Sequence, residues 1–263
     1  MKLYHNNNSV CSQKVRVTLA EKELTWESVH LDLAKGEQST AEYMKLNPEG
    51  VVPTLVDGDI VLRESSVIAE YLDQLSEHNP LAPTALKDQA AMHLWLTRAI
   101  DIHAAINSIT FATLMRQNQL RDSTPEEVKA RIAKFPNPQI RSKRIDLYTN
   151  GVNSPYVAGA LFTLKRMFDD MSATLESADW LTAGQYGLSD IAVIAYVDRL
   201  DRLSLSRLWT ERYPAIDPWL RANQARPSYK TAIGDLIPSA AAERSRQVGE
   251  EAWPDIRTIW TGI

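Results

Sequence analysis

Two stretches near the N-terminus carry residue types that could bind a small acidic peptide. The first is a Pro/Gly turn that leads into Val52-Pro53, where a cis peptide bond would turn backbone groups outward for an added β-strand. The second is Glu64-Ser65, directly ahead of an apolar helix pattern. A helix that begins there offers free N–H groups and the positive end of its dipole to a carboxylate. Together they predict a peptide site, and we expect Pro53 to be cis.

The first 78 residues have the pattern of a small mixed sheet covered by helices. Strands are predicted at 2–5, 26–31, 54–56 and 60–62, and helices from 9–12 to 22, from 35 to 45 and from 65 to 75. Asp57-Gly58 joins the last two strands, and this pair favours hairpin turns. The order βαβ and then ββα predicts an α/β thioredoxin-like domain over residues 1–78.

The rest of the chain is helical in pattern and follows a polar, Pro-bearing linker at 76–83. We expect an all-α domain over residues 86–263. Its helices are predicted at 86–118, 156–176, 188–203 and 212–224, with a short one after Thr124 and a last one after Pro238. The positions expected to be buried in the first of them include Leu94, Trp95, Ile102, Ile106 and Ile109.

The composition of the 263 residues excludes several classes of function. The net charge is −4 without a long basic run, which does not favour nucleic acid as a partner. No apolar run has the length of a membrane span and no signal peptide is visible, so we expect no membrane partner and a cytoplasmic protein. The single cysteine, Cys11, suits a reducing compartment. No cysteine or histidine spacing predicts a metal site.

The peptide-site stretches resemble the glutathione-binding half of the cytosolic glutathione transferases. The matching motifs are Asn47-Pro48-x-Gly50-x-Val52-Pro53-x-Leu55 and Glu64-Ser65-x-x-Ile68-x-x-Tyr71-Leu72. The resemblance implies that glutathione is the co-substrate. Ser65 and the helix amides would hold its γ-glutamyl carboxylate, Glu64 would support its amine, and Val52, ahead of Pro53, would present backbone to its cysteinyl part. The glycyl end would contact Gln38.

The residue that faces the glutathione sulfur is one of three at the start of the first helix. Ser9 stands where zeta-like transferases carry a catalytic serine, and Ser12 stands where theta-like enzymes and β-etherases place one. Cys11 stands where a bacterial hydroquinone reductive dehalogenase has a catalytic cysteine in a similar Cys-Ser-x-Lys-x-Arg run. A serine at a helix start is usually only a cap, and a lone cysteine is usually a small buried hydrophobe. We favour a serine hydroxyl as the donor and expect Cys11 to be dispensable.

The segment 119–154 resembles the insertion of the bacterial β-aryl-ether-cleaving transferases, since it has a Pro-x-Pro stretch followed by a basic helix. This resemblance implies a homodimeric enzyme that attacks an electrophilic carbon of a hydrophobic, aromatic substrate with glutathione thiolate, with aryl-ether cleavage as the specific reaction. Trp95 and His103 would line the pocket of that substrate. One alternative is a reductive dehalogenase or thiol transferase that uses Cys11, and another is a non-catalytic glutathione-binding or regulatory module.

One family feature is altered at Gly187-Leu188-Ser189-Asp190. Transferases usually have a Ser/Thr-x-x-Asp capping box here, and this chain keeps the aspartate but has glycine at the cap. We expect this element to be structural, because glycine caps a helix only a few tenths of a kcal/mol less well than serine.

Overall fold

The computed structural model describes residues 1–263 and begins with a four-stranded sheet. The strands are β1 (Lys2–His5), β2 (Glu27–His30), β3 (Thr54–Asp57) and β4 (Ile60–Leu62), in the order β2-β1-β3-β4. β1 is parallel to β2 and antiparallel to β3. The helices of this half are α1 (Val10–Glu21), α2 (Ala41–Leu46) and α3 (Ser65–Gln74). The predicted thioredoxin-like fold with a mixed sheet is confirmed.

A small apolar core holds α1 and α3 against one face of this sheet. The residues that form it are Leu3, Val15, Leu19, Leu55, Ile68 and Leu72. Beside it, Gly58 has a φ of +59° in the β3–β4 turn, a conformation that costs glycine nothing and strains other residues. The sheet positions the start of both helices at the same edge, which is where the candidate site lies.

The remainder of the chain is helical, as predicted. The helices are α4 (Leu86–Thr110), α5 (Arg116–Asp122), α6 (Pro125–Ala133), α7 (Pro138–Asn150), α8 (Pro155–Leu175), α9 (Leu188–Arg202), α10 (Ile216–Gln224), α11 (Pro227–Ala232) and α12 (Ser239–Thr261). They share one core of 43 buried residues, and every residue of α9 from Leu188 to Leu200 is buried. None of the helices is both long and apolar enough to cross a bilayer.

Two details of the long first helix differ from the prediction. A π-helical turn at Phe111–Met115 separates α4 from α5, where an uninterrupted helix was predicted. Leu94 is 58% exposed, so its predicted burial is wrong. The core face of α4 runs through Met92, Trp95 and Ala99 instead, with the three- and four-residue spacing of a helix stripe, and Leu94 lies to one side of it.

The insertion is ordered as α6 and α7, and the predicted short helix after Thr124, α6, begins with a capping box. Thr124 Oγ1 accepts from the Glu127 amide (3.3 Å), and Glu127 accepts from the Thr124 amide (2.8 Å). The guanidinium of Arg144, on α7, lies between the rings of Phe111 (3.8 Å) and Phe135 (4.2 Å). Such stacking stabilises a cation against an aromatic face and fixes α7 beside the end of α4.

Gly187 caps α9 at a point where the interdomain linker passes directly over it. The Leu188 amide donates to the Leu81 carbonyl (3.1 Å), and a Cβ atom on Gly187 would lie 2.4 Å from the same carbonyl oxygen. Asp190 still accepts from the Gly187 amide (3.2 Å) and from Trp219 Nε1 (2.7 Å). Glycine therefore lacks the hydrogen bond of a side-chain cap, but its missing Cβ atom lets the linker pass close to the start of α9.

The Gly187→Ala variant should lose about 1–3 kcal/mol of unfolding free energy, because the Leu81 backbone must move to admit a methyl group. Gly159→Ala is the matched control. It lies inside α8 with nothing within 4 Å of a new Cβ, and alanine should stabilise it by about 0.5–1 kcal/mol. Urea unfolding of the three proteins measures both changes, and equal stabilities would contradict the steric explanation.

Candidate active site

Three helices meet at the thiol of Cys11. Its Sγ atom, in the first turn of α1, lies 3.4 Å from Nδ1 of His103 on α4 and 4.0 Å from Oη of Tyr196 on α9. One turn further along α1, Lys14 Nζ donates to the same Tyr196 hydroxyl (3.2 Å). That hydroxyl can therefore direct its own hydrogen at the sulfur. The arrangement surrounds the sole thiol of the chain with donors.

The charges around Cys11 favour its thiolate form. Burial by itself raises the pKa of this thiol, but the charge and hydrogen bond of His103 outweigh it, with help from the charge of Lys14. A hydrogen bond from Ser65 acts in the same direction, and the pKa falls from 9.0 to about 7. Lys14 is 2% exposed, and burial lowers its pKa, whereas the negative charges of a Cys11 thiolate and of Glu64 both favour its charged form.

The two serines predicted beside the sulfur bond to the surrounding backbone. Ser9 is the N-cap of α1, and its Oγ accepts from the Ser12 amide (3.3 Å). Ser12 is fully buried, and its Oγ accepts from the Asn6 amide (3.5 Å). Both contacts hold the turn between β1 and α1, whereas Cys11 faces the other half of the molecule. Contact of either serine with a glutathione sulfur stays a prediction.

The Val52-Pro53 turn offers free backbone groups, and the predicted cis bond is confirmed. The preceding carbonyl, of Val51, accepts from Tyr43 Oη (2.5 Å) and Asn47 Nδ2 (2.9 Å), which anchors the turn. The N–H and C=O of Val52 make no hydrogen bond within the chain. They are available to an extended peptide that pairs with them.

The start of α3 is an uncapped helix N-terminus beside Cys11. The first helical bond runs from the Ile68 amide to the Glu64 carbonyl (2.8 Å), so the amides of Ser65, Ser66 and Val67 have no acceptor in the chain. Ser65 is 2% exposed, and its single hydroxyl hydrogen can be directed either at the exposed Glu64 (3.4 Å) or at the Cys11 sulfur. These groups suit the carboxylate and amine of one amino acid.

Gln38 supplies a buried acceptor that nothing in the chain satisfies. It lies in a 3₁₀ turn, Glu37–Ser39, and is 8% exposed. Its Oε1 atom has no hydrogen-bond partner. A buried polar atom without a partner costs about 1–3 kcal/mol, which a ligand donor or water can offset.

Two residues of this cluster, Lys14 and Tyr196, were not predicted. His103, predicted to line a second-substrate pocket, contacts the thiol directly. Trp95 lies in the helical core, and its predicted burial is confirmed. Lys14 stands in the Cys-Ser-x-Lys-x-Arg run, which was a usable signal. Tyr196 lies in the middle of a buried helix, and no sequence pattern distinguishes it from core. No group of three or more His, Cys, Asp or Glu side chains that could hold a metal ion is found.

Two domain matches identify the protein family to which this chain belongs. The glutathione S-transferase N-terminal domain matches residues 8–75, and the glutathione S-transferase C-terminal domain matches residues 155–222. The chain belongs to the glutathione transferase superfamily. Members of this family use glutathione as co-substrate.

Some relatives match about a third of this chain, and others match most of it. Glutathione S-transferase Z1 of Arabidopsis thaliana is 42% identical over 90 residues, which span 34% of this chain and 41% of that protein. Protein LigF of Sphingobium sp. is 28% identical over 88% of this chain and 91% of its own length. The crystal structure of that β-etherase superposes with a TM-score of 0.77 at 28% identity, over 88% of this chain and 97% of LigF.

A third relative is a tetrachloro-p-hydroquinone reductive dehalogenase of Sphingobium chlorophenolicum. It is 25% identical over 237 residues, which cover 88% of this chain and 94% of the dehalogenase. The predicted similarity to the β-etherase and dehalogenase branches is therefore confirmed at the level of distant relatives.

The pKa of Cys11 should rise from about 7 towards 9 in the His103→Asn variant, because the largest favourable contribution is lost. In the wild type the thiolate fraction, and with it the rate of alkylation by iodoacetamide, should increase as the pH passes through 7. A single thiol makes the readout unambiguous. The guanidinium-unfolded chain, with an ordinary thiol, is the control, and identical pH profiles for the folded and unfolded protein would contradict the assignment.

Proposed function

We propose that this protein is a glutathione-dependent transferase in which Cys11 is a reacting thiol that takes up a glutathionyl group. The observation that carries the proposal is the 3.4 Å contact between Cys11 Sγ and His103 Nδ1. A thiolate poised near neutral pH combines a usable ionised fraction with good nucleophilicity. The sequence argument favoured a serine and a dispensable cysteine. We propose Cys11 instead, because its contacts support a reactive thiol.

Glutathione is proposed to lie along the turn before β3 with its γ-glutamyl end at the start of α3. The free Val52 amide and carbonyl would pair with its cysteinyl part, and the free amides at the start of α3 would take its carboxylate. The Ser65 hydroxyl would turn from Glu64 to the same carboxylate. Glu64 would receive the amine, and Gln38 Oε1 would accept from the glycyl amide N–H. The Val52 groups, the α3 amides and Gln38 Oε1 lack an internal partner, and Glu64 is exposed.

The reaction is proposed to proceed in three balanced steps. Glutathione thiolate displaces a leaving group from an electrophilic carbon and forms a thioether. Cys11 thiolate then attacks the thioether sulfur; the carbon–sulfur bond breaks, its electron pair stays on carbon, and a solvent proton adds there. A second glutathione thiolate attacks the glutathionyl sulfur of the resulting Cys11 mixed disulfide. Glutathione disulfide leaves and Cys11 thiolate is restored, so the substrate carbon gains the two electrons that two glutathiones lose.

This chemistry restricts the substrate class. The carbon must carry an electron pair when the carbon–sulfur bond breaks, which favours a carbon next to a carbonyl group or in a quinol ring. His103, Lys14 and Tyr196 would hold the negative charge on Cys11 before the attack. The similarity to the hydroquinone dehalogenase over most of the chain supports an aromatic substrate of this kind.

Aryl-ether cleavage is the second candidate, and it would end after the first step with a phenolate as leaving group. It is supported by the full-length similarity to LigF. It is also supported by α7, since Lys143 Nζ donates to the Ala104 carbonyl (3.3 Å), next to His103 in α4. This contact ties α7 to α4 next to His103, and we propose that α7 forms a wall for a bulky aromatic substrate.

A homodimer and a cytoplasmic location stay predictions. Val67 of α3 and Leu94 and Ile100 of α4 are exposed apolar side chains, which supports contact with a second copy. Light scattering of the purified protein measures its mass in solution, and the mass of a monomer would contradict the predicted homodimer.

Ser65→Ala should weaken glutathione binding by about 1.5–3 kcal/mol, because a charged carboxylate loses a hydrogen bond. Isothermal titration of the folded protein with glutathione measures the change. Ser142→Ala, at an exposed serine of α7 without a hydrogen-bond partner, is the control and should bind as the wild type does. An unchanged affinity in Ser65→Ala would contradict the proposed orientation of glutathione.

Cys11→Ser should abolish reduction of an α-glutathionyl ketone to the parent ketone, because no other protein thiol can form the mixed disulfide. Mass spectrometry of wild type quenched during turnover should show one glutathionyl adduct, on Cys11. Cys11→Ser should retain any cleavage of phenacyl aryl ethers, which needs only the first step. Full ketone reduction by Cys11→Ser would exclude the thiol cycle and leave ether cleavage as the favoured reaction.

A further inference from the structure

A cavity separate from the thiol cluster lies on the opposite side of α1 from Cys11, between β2 and α11. Its volume is about 490 Å³, within the range of small-molecule sites. Its lining includes the apolar side chains of Leu24, Trp26 and Leu236. It also includes the polar side chains of His5, Arg16, Ser28 and His30. None of these residues takes part in the thiol cluster or the proposed glutathione site.

Arg16 is a buried cation at this cavity without an acidic partner. It is 3% exposed, and no carboxylate lies within 4.0 Å of it. Four of its five N–H groups are used: Nε donates to the Ala232 carbonyl (2.9 Å), Nη1 to His5 Nδ1 (3.2 Å) and the Asn6 carbonyl (3.1 Å), and Nη2 to the Asn7 carbonyl (3.2 Å). One Nη2–H and the whole positive charge remain without a partner in the chain.

The hydrogen bond from Arg16 to His5 determines which ring nitrogen of His5 carries its hydrogen, and so which hydrogen Ser28 has left to donate. Because a guanidinium only donates, His5 Nδ1 must accept, and the His5 hydrogen is therefore on Nε2, which lies 2.7 Å from Ser28 Oγ. Burial beside Arg16 lowers the pKa of His5 to about 4, so this ring is neutral at pH 7. Ser28 Oγ accepts from His5, and its own hydroxyl hydrogen is left to be donated elsewhere.

His30 is fixed in the same way. Its Nε2 atom faces the Asn7 amide (3.5 Å), which can only donate, and Asn6 Nδ2 (3.4 Å). The ring hydrogen is therefore on Nδ1, which has no partner in the chain. Ser28 and His30 each have a hydrogen left to donate at this cavity, Arg16 has one N–H without an acceptor, and the only carboxylate of the lining, Glu23, is exposed and lies 3.5 Å from His78.

We propose that this cavity binds a small organic carboxylate with an aromatic body, independently of the glutathione site. The carboxylate would accept from Ser28 and His30 and balance the charge of Arg16, because charge-assisted hydrogen bonds to a carboxylate are the strong ones. The aromatic body would lie against the apolar side chains of the lining, Trp26, Leu24 and Leu236. A neutral ligand of the same shape would leave the cation uncompensated.

The test compares 2-naphthoate with 2-naphthamide, which have the same ring system and differ in charge, by isothermal titration of the full chain. The naphthoate should bind at least tenfold more tightly than the amide. Ser28→Ala combined with His30→Leu should weaken naphthoate at least tenfold and leave the amide unchanged. Both residues are exposed, so these substitutions leave the fold intact.

Two further measurements locate the ligand. The Cys11→Ser/Ser65→Ala double variant should bind naphthoate as the wild type does, which separates this site from the proposed glutathione site. The naphthoate-dependent change in tryptophan fluorescence should disappear in Trp26→Phe. The proposal is overturned by equal affinity for acid and amide, by no binding of either at millimolar concentration, by unchanged affinity in Ser28→Ala/His30→Leu, or by loss of binding in the Cys11→Ser/Ser65→Ala variant.

Discussion

Helix α1 is buried on every side, and its charged side chains must therefore find partners in the helical half of the molecule. Lys14 reaches Tyr196, Arg16 reaches the Ala232 carbonyl, and Glu21 accepts from Arg226 at 2.7 and 2.8 Å. A buried charge without compensation costs several kcal/mol, so these contacts admit only one docking of the two halves. That docking brings a residue of α4 against the first turn of α1. The reactive environment of the thiol is thus a consequence of how the halves are held together.

Features set by neighbouring residues could be read from the sequence. The Asp57-Gly58 hairpin, the capping box at Thr124 and the cis Val52-Pro53 bond each depend on a few consecutive residues. The thioredoxin-like order of elements follows from such signals. The environment of Cys11 depends on residues 92 and 185 positions away, and no local pattern encodes that meeting. For the same reason the choice between Cys11 and its neighbouring serines required the direction of each side chain, since adjacent helical residues point about 100° apart.

The helical half shows a second limit of the same kind. Helical periodicity gave the existence of α4 and most of its buried face, but Leu94 and Trp95 are adjacent and both apolar, and only one of them can lie on that face. The π-helical turn after Thr110 likewise has no composition signal. It occurs where α7 stacks Arg144 on Phe111, so a long-range contact coincides with the local irregularity. Packing between distant elements decides such details, and periodicity supplies only the candidates.

The glycine cap of α9 restricts the order in which substitutions at the cap and in the linker can be accepted during evolution. Serine at position 187 would gain a hydrogen bond, yet its Cβ would meet the Leu81 carbonyl at 2.4 Å. Serine at this cap position is therefore not tolerated as a single substitution. It becomes tolerated only after the linker has shifted. Conversely, a linker that shifts first loses the bond from the Leu188 amide and leaves an under-capped helix. The two positions are epistatic, and relatives with serine at the cap should have a differently routed linker.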